Sequence, residues 1–220
     1  WLRDEIEAAV ALRGRCLLAF SGGRTPWEAI TALAAEPLPW SRIEVFQVDE
    51  RVVPRDDPRR NARRLEDALL APGRLAAAAF HAMPVEARDL ERAAADYEAA
   101  LERAGGLLPV LDVVQLGLGA DGHTASLFAG DPALELRDRD VALTGVHADA
   151  RRMTLTLPPI ARARRVLFIV TGSEKADALR RLVAGDPAIP AARVARVRAT
   201  LFADAAAAEH VPPGARGWRA

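Results

Sequence analysis

Val113-Val114-Gln115-Leu116-Gly117-Leu118-Gly119-Ala120-Asp121-Gly122-His123-Thr124-Ala125-Ser126-Leu127-Phe128 joins a short apolar run to a glycine-rich loop. The run Asp112–Leu116 has the length and bounds of a buried strand. Three glycines in the six residues after it permit tight turns and close approach of backbone to a ligand. His123 then stands two residues after Asp121. In α/β folds, chemistry sits on loops at the carboxyl ends of sheet strands. An imidazole on such a loop is a candidate general base, and Asp121 is near enough to orient the loop or the ring. Taken alone, Asp-Gly-His also describes a capped turn with a surface His.

The flanking sequence supplies the rest of the sheet. Arg15–Phe20 is an apolar run ending at Ser21-Gly22-Gly23, and Ile43–Val48 is a β-rich run ending at Asp49-Glu50-Arg51. Thr154–Leu157 and Val166–Val170 read as further strands. Between them, Pro26–Ala35, Asn61–Leu70, Leu90–Leu101 and Ser173–Val183 carry helical spacing. The Ala-rich stretches 76–79 and 205–208 read as helix or helix ends. This alternation predicts the α/β class: one Rossmann-like domain over residues 1–220, with a parallel sheet and helices on both faces. The segments after Phe20, Val48, Leu116 and Val170 would then converge on one edge of the sheet.

Bulk properties exclude several classes. Thirty basic and thirty acidic residues give no net charge, and no charge run points to nucleic acid or a membrane surface. The single Cys16 excludes an internal disulfide framework and a multi-Cys metal site; lying in Cys16–Phe20, it reads as buried core. The chain has no 18-residue apolar stretch. Its start resembles no signal peptide, which makes the cytoplasm the expected compartment, and it lacks an initiating Met, which leaves room for native residues upstream. No His-x-x-x-His or Glu-x-x-His pattern supports a metal. No Walker loop or dinucleotide fingerprint is present, so no cofactor is expected. A Gly-x-Ser-x-Gly elbow is also missing. His81, His147 and His210 lie in less promising contexts than His123.

Three further segments carry candidate chemistry. In Ser21-Gly22-Gly23-Arg24-Thr25-Pro26, Thr25 is placed to cap a helix, Pro26 suits its first position, and Glu28 would complete a capping box. The two glycines and the helix start make a phosphate cradle. Asp49-Glu50-Arg51, with Asn61 downstream, either forms a surface ion cluster or lines a cleft. In a cleft, Asp49 would accept sugar hydroxyls or orient a catalytic group, and Arg51 would hold phosphate. Thr171-Gly172-Ser173-Glu174-Lys175 puts the only Lys of the chain on the first turn of a helix, where a compact ammonium suits an anion. Arg152 is a further candidate anion contact, with Arg151 beside it equally placed.

Together these segments resemble the 6-phosphogluconolactonase family, on a glucosamine-6-phosphate deaminase-like fold. The match runs in order through Ser21–Pro26, Asp49–Arg51 with Val53-Pro54 and Asn61, Gly117–Phe128, Arg152–Leu157, Gly172–Lys175, Pro187–Ala192 and Leu201–Asp204. Two departures stand out. Ala129 replaces the family's Pro after Leu-Phe, and Val146-His147-Ala148-Asp149-Ala150-Arg151 stands where the family often carries Lys-Pro-Pro. The resemblance implies hydrolysis of a phosphorylated sugar lactone without a metal. It implies His123 and Asp49 as catalytic residues, and Ser21, Gly22, Gly23, Thr25, Arg51, Asp121, Arg152 and Lys175 as substrate contacts. The expected partner is the small sugar-phosphate lactone, with the chain a monomer or weak homo-oligomer. Two rivals are weighed beside it. A glucosamine-6-phosphate deaminase would carry Tyr in place of Arg51 and a Phe-Asn-Glu-Pro-like run after the His segment. A sugar-phosphate sensor would carry a DNA-binding segment, for which Trp1–Arg15 is too short.

Overall fold

The computed structural model describes residues 1–194 and 198–214. Strand β1 (Cys16–Phe20) lies at the centre of a six-stranded sheet in the order β4-β2-β1-β5-β8-β9. The other strands are β2 (Ile43–Gln47), β4 (Phe80–His81), β5 (Val113–Leu116), β8 (Arg165–Val170) and β9 (Ala199–Ala203). Every pairing in this sheet is parallel. The period-2 alternation of β1 divides the core. Cys16, Leu18 and Phe20 face helices α1 (Leu2–Arg13), α2 (Arg24–Ala35) and α3 (Asn61–Leu65). Leu17 and Ala19 belong to the opposite core, with α4 (Leu90–Gly105), α5 (Leu157–Arg162) and α6 (Ala176–Ala184). Both faces are thus covered, as an all-parallel sheet requires.

From β1 the chain winds outward through β2 to β4, then returns to β5 on the other side of β1 and winds outward through β8 to β9. The order reverses between β1 and β5. The loops leaving those two strands diverge there and open a crevice at their carboxyl ends. The crevice therefore falls between Ser21-Gly22-Gly23 and Gly117-Leu118-Gly119.

Three expectations are corrected. The strand expected at Thr154–Leu157 spans Arg152–Leu155 and does not join the parallel sheet. It forms β7, the middle strand of a separate antiparallel sheet with β3 (Asp49–Arg51) and β6 (Val141–Leu143). The charged Asp49-Glu50-Arg51 thus pairs with β7 in a strand of its own. Val48 joins the two sheets: its N–H donates to Phe20 and its carbonyl accepts from Leu155. Thr25 does not cap α2. The helix begins two residues earlier, behind Gly23, whose φ of 127° suits glycine, and no side chain caps it; the Thr25 hydroxyl pairs with that of Thr171 instead. Residues 205–208 form turns rather than a helix. The reading of Cys16 is borne out: it is fully buried, and burial pushes its thiol pKa upward.

Candidate active site

A cleft of about 540 Å³ occupies the crevice. Its lining draws on all four strand ends singled out in the sequence: Ser21, Gly22, Gly23 and Thr25 after β1; Asp49 and Arg51 after β2; Gly117–Gly119 and His123 after β5; Thr171, Gly172 and Lys175 after β8. Arg152 lines it as well, whereas Arg151 is exposed and bonds the Thr144 carbonyl. Among the described residues, no group of three or more His, Cys, Asp or Glu side chains is arranged to hold a metal ion.

The glycine loop shapes His123. Asp121 Oδ1 lies 2.6 Å from His123 Nδ1 and also accepts the His123 backbone N–H at 3.2 Å. Partial burial works against ionisation of Asp121. The His123 charge and hydrogen bonds outweigh it and hold the carboxyl below its ordinary range. Asp121 itself is exposed and is not among the lining residues; it touches the cleft through His123. Gly119 leaves room for this pair, since a Cβ there would lie 2.1 Å from Nδ1 and 2.5 Å from Asp121 Oδ1. Gly122, at φ 85°, would drive a Cβ to within 2.5 Å of Ile189.

Asp49 is buried, and each carboxylate oxygen accepts a serine hydroxyl, Ser21 at 2.9 Å and Ser126 at 2.7 Å. It makes no hydrogen bond to His123. Arg152 Nη1 reaches Ser126 Oγ at 3.4 Å, at the outer limit of a hydrogen bond, and the buried Arg152 Nε has no partner. The register of the small sheet sets Arg51 directly opposite Arg152. Burial, and then the Arg51 charge, press the Arg152 guanidinium below its ordinary pKa. Like charges facing each other across strands destabilise a protein unless an anion lies between them. Arg51 is oriented by Asn61 Oδ1 at 2.5 Å and the Arg59 carbonyl at 3.1 Å. Lys175 reaches the cleft from the turn just before α6, and no ion pair to it occurs among the described residues.

Two further participants, Ser126 and Glu50, were given no individual role by the sequence. Ser126 lies 77 residues from Asp49, so only tertiary structure brings them together. Glu50 is fully buried and structural. It accepts the N–H groups of Arg51, Asn61 and Ala62 at 2.7–2.9 Å and pairs with Arg60 at 3.2 Å. It thereby satisfies the otherwise unpaired N–H groups at the buried start of α3.

A family model described as glucosamine-6-phosphate isomerases/6-phosphogluconolactonase matches residues 1–203. A curated 6-phosphogluconolactonase of Synechocystis is 43% identical over 178 residues, covering 79% of this chain and 74% of its own length. That of Mycobacterium leprae is 36% identical and covers 96% of this chain and 91% of its own. The crystal structure of a 6-phosphogluconolactonase from Thermotoga maritima superposes with a TM-score of 0.82 at 29% identity, covering 92% of this chain and 90% of that one. A monomeric glucosamine-6-phosphate deaminase, 20% identical with a TM-score of 0.81, covers 95% and 94% of the two chains and shares the fold. The chain belongs to the glucosamine-6-phosphate isomerase/6-phosphogluconolactonase family.

Proposed function

We propose that the chain acts as one catalytic domain that hydrolyses 6-phospho-D-glucono-1,5-lactone to 6-phosphogluconate, in the oxidative pentose phosphate pathway, using water activated by His123 and no metal. The relatives named 6-phosphogluconolactonase support lactone hydrolysis as the reaction. One observation carries the mechanism: His123 lines the cleft beside Arg51, Arg152 and Lys175, with its Nδ1 committed to a carboxylate 2.6 Å away. A neutral imidazole so paired carries its proton on Nδ1 and keeps the Nε2 lone pair for water.

A lactone carbonyl is already electrophilic, so a positioned base suffices. Nε2 takes a proton as the water oxygen bonds to C1. The tetrahedral intermediate then collapses, the C1–ring-oxygen bond breaks, and the ring oxygen takes the proton back from His123. Asp49 holds Ser21, and so positions substrate rather than the imidazole. Gly22, Gly23, Thr25, Arg51, Arg152 and Lys175 hold phosphate and sugar and supply orientation. The facing Arg51 and Arg152 suit a dianionic phosphate, which relieves their mutual repulsion.

The test is hydrolysis of freshly generated lactone, followed by NADP-linked dehydrogenation of the product and compared with the spontaneous rate. Glucosamine 6-phosphate runs in parallel. Acceleration on the lactone alone is expected; turnover of the amino sugar alone would overturn the reading. His123→Ala should lower kcat by roughly 10²–10⁴-fold with little change in KM. A near-normal kcat in that variant would remove His123 as the base.

A further inference from the structure

The loop that departs from the family pattern also reaches the catalytic imidazole, through one intervening ring. Phe128, buried, contacts two imidazoles: His123 at a centroid distance of 4.4 Å and 36° tilt, and His147 at 3.9 Å and 14°. His147 Nε2 is in turn 2.7 Å from Oδ2 of Asp131. That carboxylate is itself fixed, because it also accepts the N–H groups of Ala133 and Gly145, both at 2.9 Å. His147 thus spans Phe128 and Asp131, three residues apart on the segment that follows His123. The Arg152 guanidinium carbon sits 5.2 Å from the Phe128 ring centroid, so the same ring contacts the base and the buried cation of the cleft.

The backbone presenting His147 is unusual. His147 and Ala150 exchange hydrogen bonds at 3.0 and 3.3 Å around a two-residue turn. Ala148 and Asp149 in that turn both have positive φ, 46° and 74°. Such turns favour Asn-Gly, and Ala is a poor occupant of the left-handed region. The turn keeps a strained backbone while His147 holds both its stack and its hydrogen bond to Asp131. Strain of this kind persists where the surrounding structure over-determines it.

We propose that His147, anchored by Asp131, is a positioning residue: it clamps Phe128 against His123 and sets the plane of the catalytic imidazole. This rests on His123 being the base. The contact that matters is ring stacking, so an aromatic replacement should preserve it and a polar one should not.

The test uses His147→Ala, His147→Asn and His147→Phe, each checked for folding by circular dichroism. Steady-state lactone hydrolysis is measured alongside the NMR resonances of the His123 ring protons, which sense the Phe128 ring independently of turnover. In the Ala and Asn variants, kcat should fall about 10-fold at unchanged KM, less than the ~10²-fold of a 1 Å misplacement, and the His123 resonances should move. His147→Phe, which keeps the ring but not the hydrogen bond to Asp131, should restore part of both. Wild-type kcat and unmoved resonances in a folded His147→Ala would overturn the proposal. If the wild-type enzyme leaves the lactone untouched, the functional reading fails separately, and the resonances still report whether the clamp exists.

Discussion

Gly119→Ala tests whether the rate depends on where the His123 ring sits. Gly119 does not occupy the left-handed region, so alanine suits its backbone. The difficulty is space. The new Cβ would stand 2.1 Å from His123 Nδ1 and 2.3 Å from Cε1, more than 1 Å inside the 3.4 Å where ordinary contact begins. It would also stand 2.5 Å from Asp121 Oδ1. Side chains yield more readily than the strand–loop backbone, so the imidazole and its carboxylate must both swing away. A displacement of about 1 Å at the reacting centre costs roughly 10²-fold in rate, equivalent to about 2.7 kcal/mol of barrier. The segments proposed to bind phosphate, Ser21–Thr25 and Lys175, lie on other strand ends, so KM should change little. Gly117→Ala is the matched comparison: its Cβ meets only the Gly22 carbonyl oxygen, at 3.7 Å, and it should lose far less. The assay is coupled lactone hydrolysis at saturating substrate, with Tm recorded for both variants. A folded Gly119→Ala enzyme with kcat within twofold of the parent would refute the argument that the Asp121–His123 geometry sets the rate.

Other consequences are open to measurement. Glu50→Ala removes the buried partner of Arg60 and strips acceptors from three backbone N–H groups; it should lower unfolding free energy by about 3–5 kcal/mol, and a loss under about 1 kcal/mol in urea titration would contradict that. Burial opposes ionisation of Asp131, but the His147 hydrogen bond and the Ala133 and Gly145 N–H groups outweigh it and hold its carboxyl below the ordinary 3.8. A carboxyl depressed in the folded state contributes stability above its unfolded pKa and loses it as pH falls through the folded value. Asp131→Asn should therefore lower Tm at neutral pH, with the gap closing as the solution is acidified below 3.8; a gap that stays constant with pH would be inconsistent. Replacing Ala148-Asp149 by Asn-Gly should relieve the left-handed strain, net of glycine's entropy, by about 1 kcal/mol. Differential scanning calorimetry should then register a rise in Tm of about 2–4 °C, and an unchanged or lower Tm would argue against strain in the turn.

Local pattern alone carried much of this protein. Apolar runs ending in glycine or charge marked the central strands, because burying a strand on both faces requires an uninterrupted apolar stretch. Parallel strands all end on the same edge, so the segments after Phe20, Val48, Leu116 and Val170 could be assigned to one site before any contact was known. Space for the His123–Asp121 pair was written in Gly119, although only the packed loop reveals what the missing Cβ accommodates.

What the tertiary structure decided is register and partnership. Arg151 and Arg152 are indistinguishable in sequence; antiparallel pairing with β3 buries Arg152 opposite Arg51 and leaves Arg151 exposed, because a strand sends successive side chains to opposite faces. Thr154–Leu157 reads as one more parallel strand, yet the strand there, Arg152–Leu155, belongs to a second sheet, since a short apolar run does not specify its neighbour. The serines that hold Asp49, and the His147 ring that stacks on Phe128, come from distant parts of the chain. Local periodicity records which face of an element is buried; which surface it meets is settled only when the elements pack.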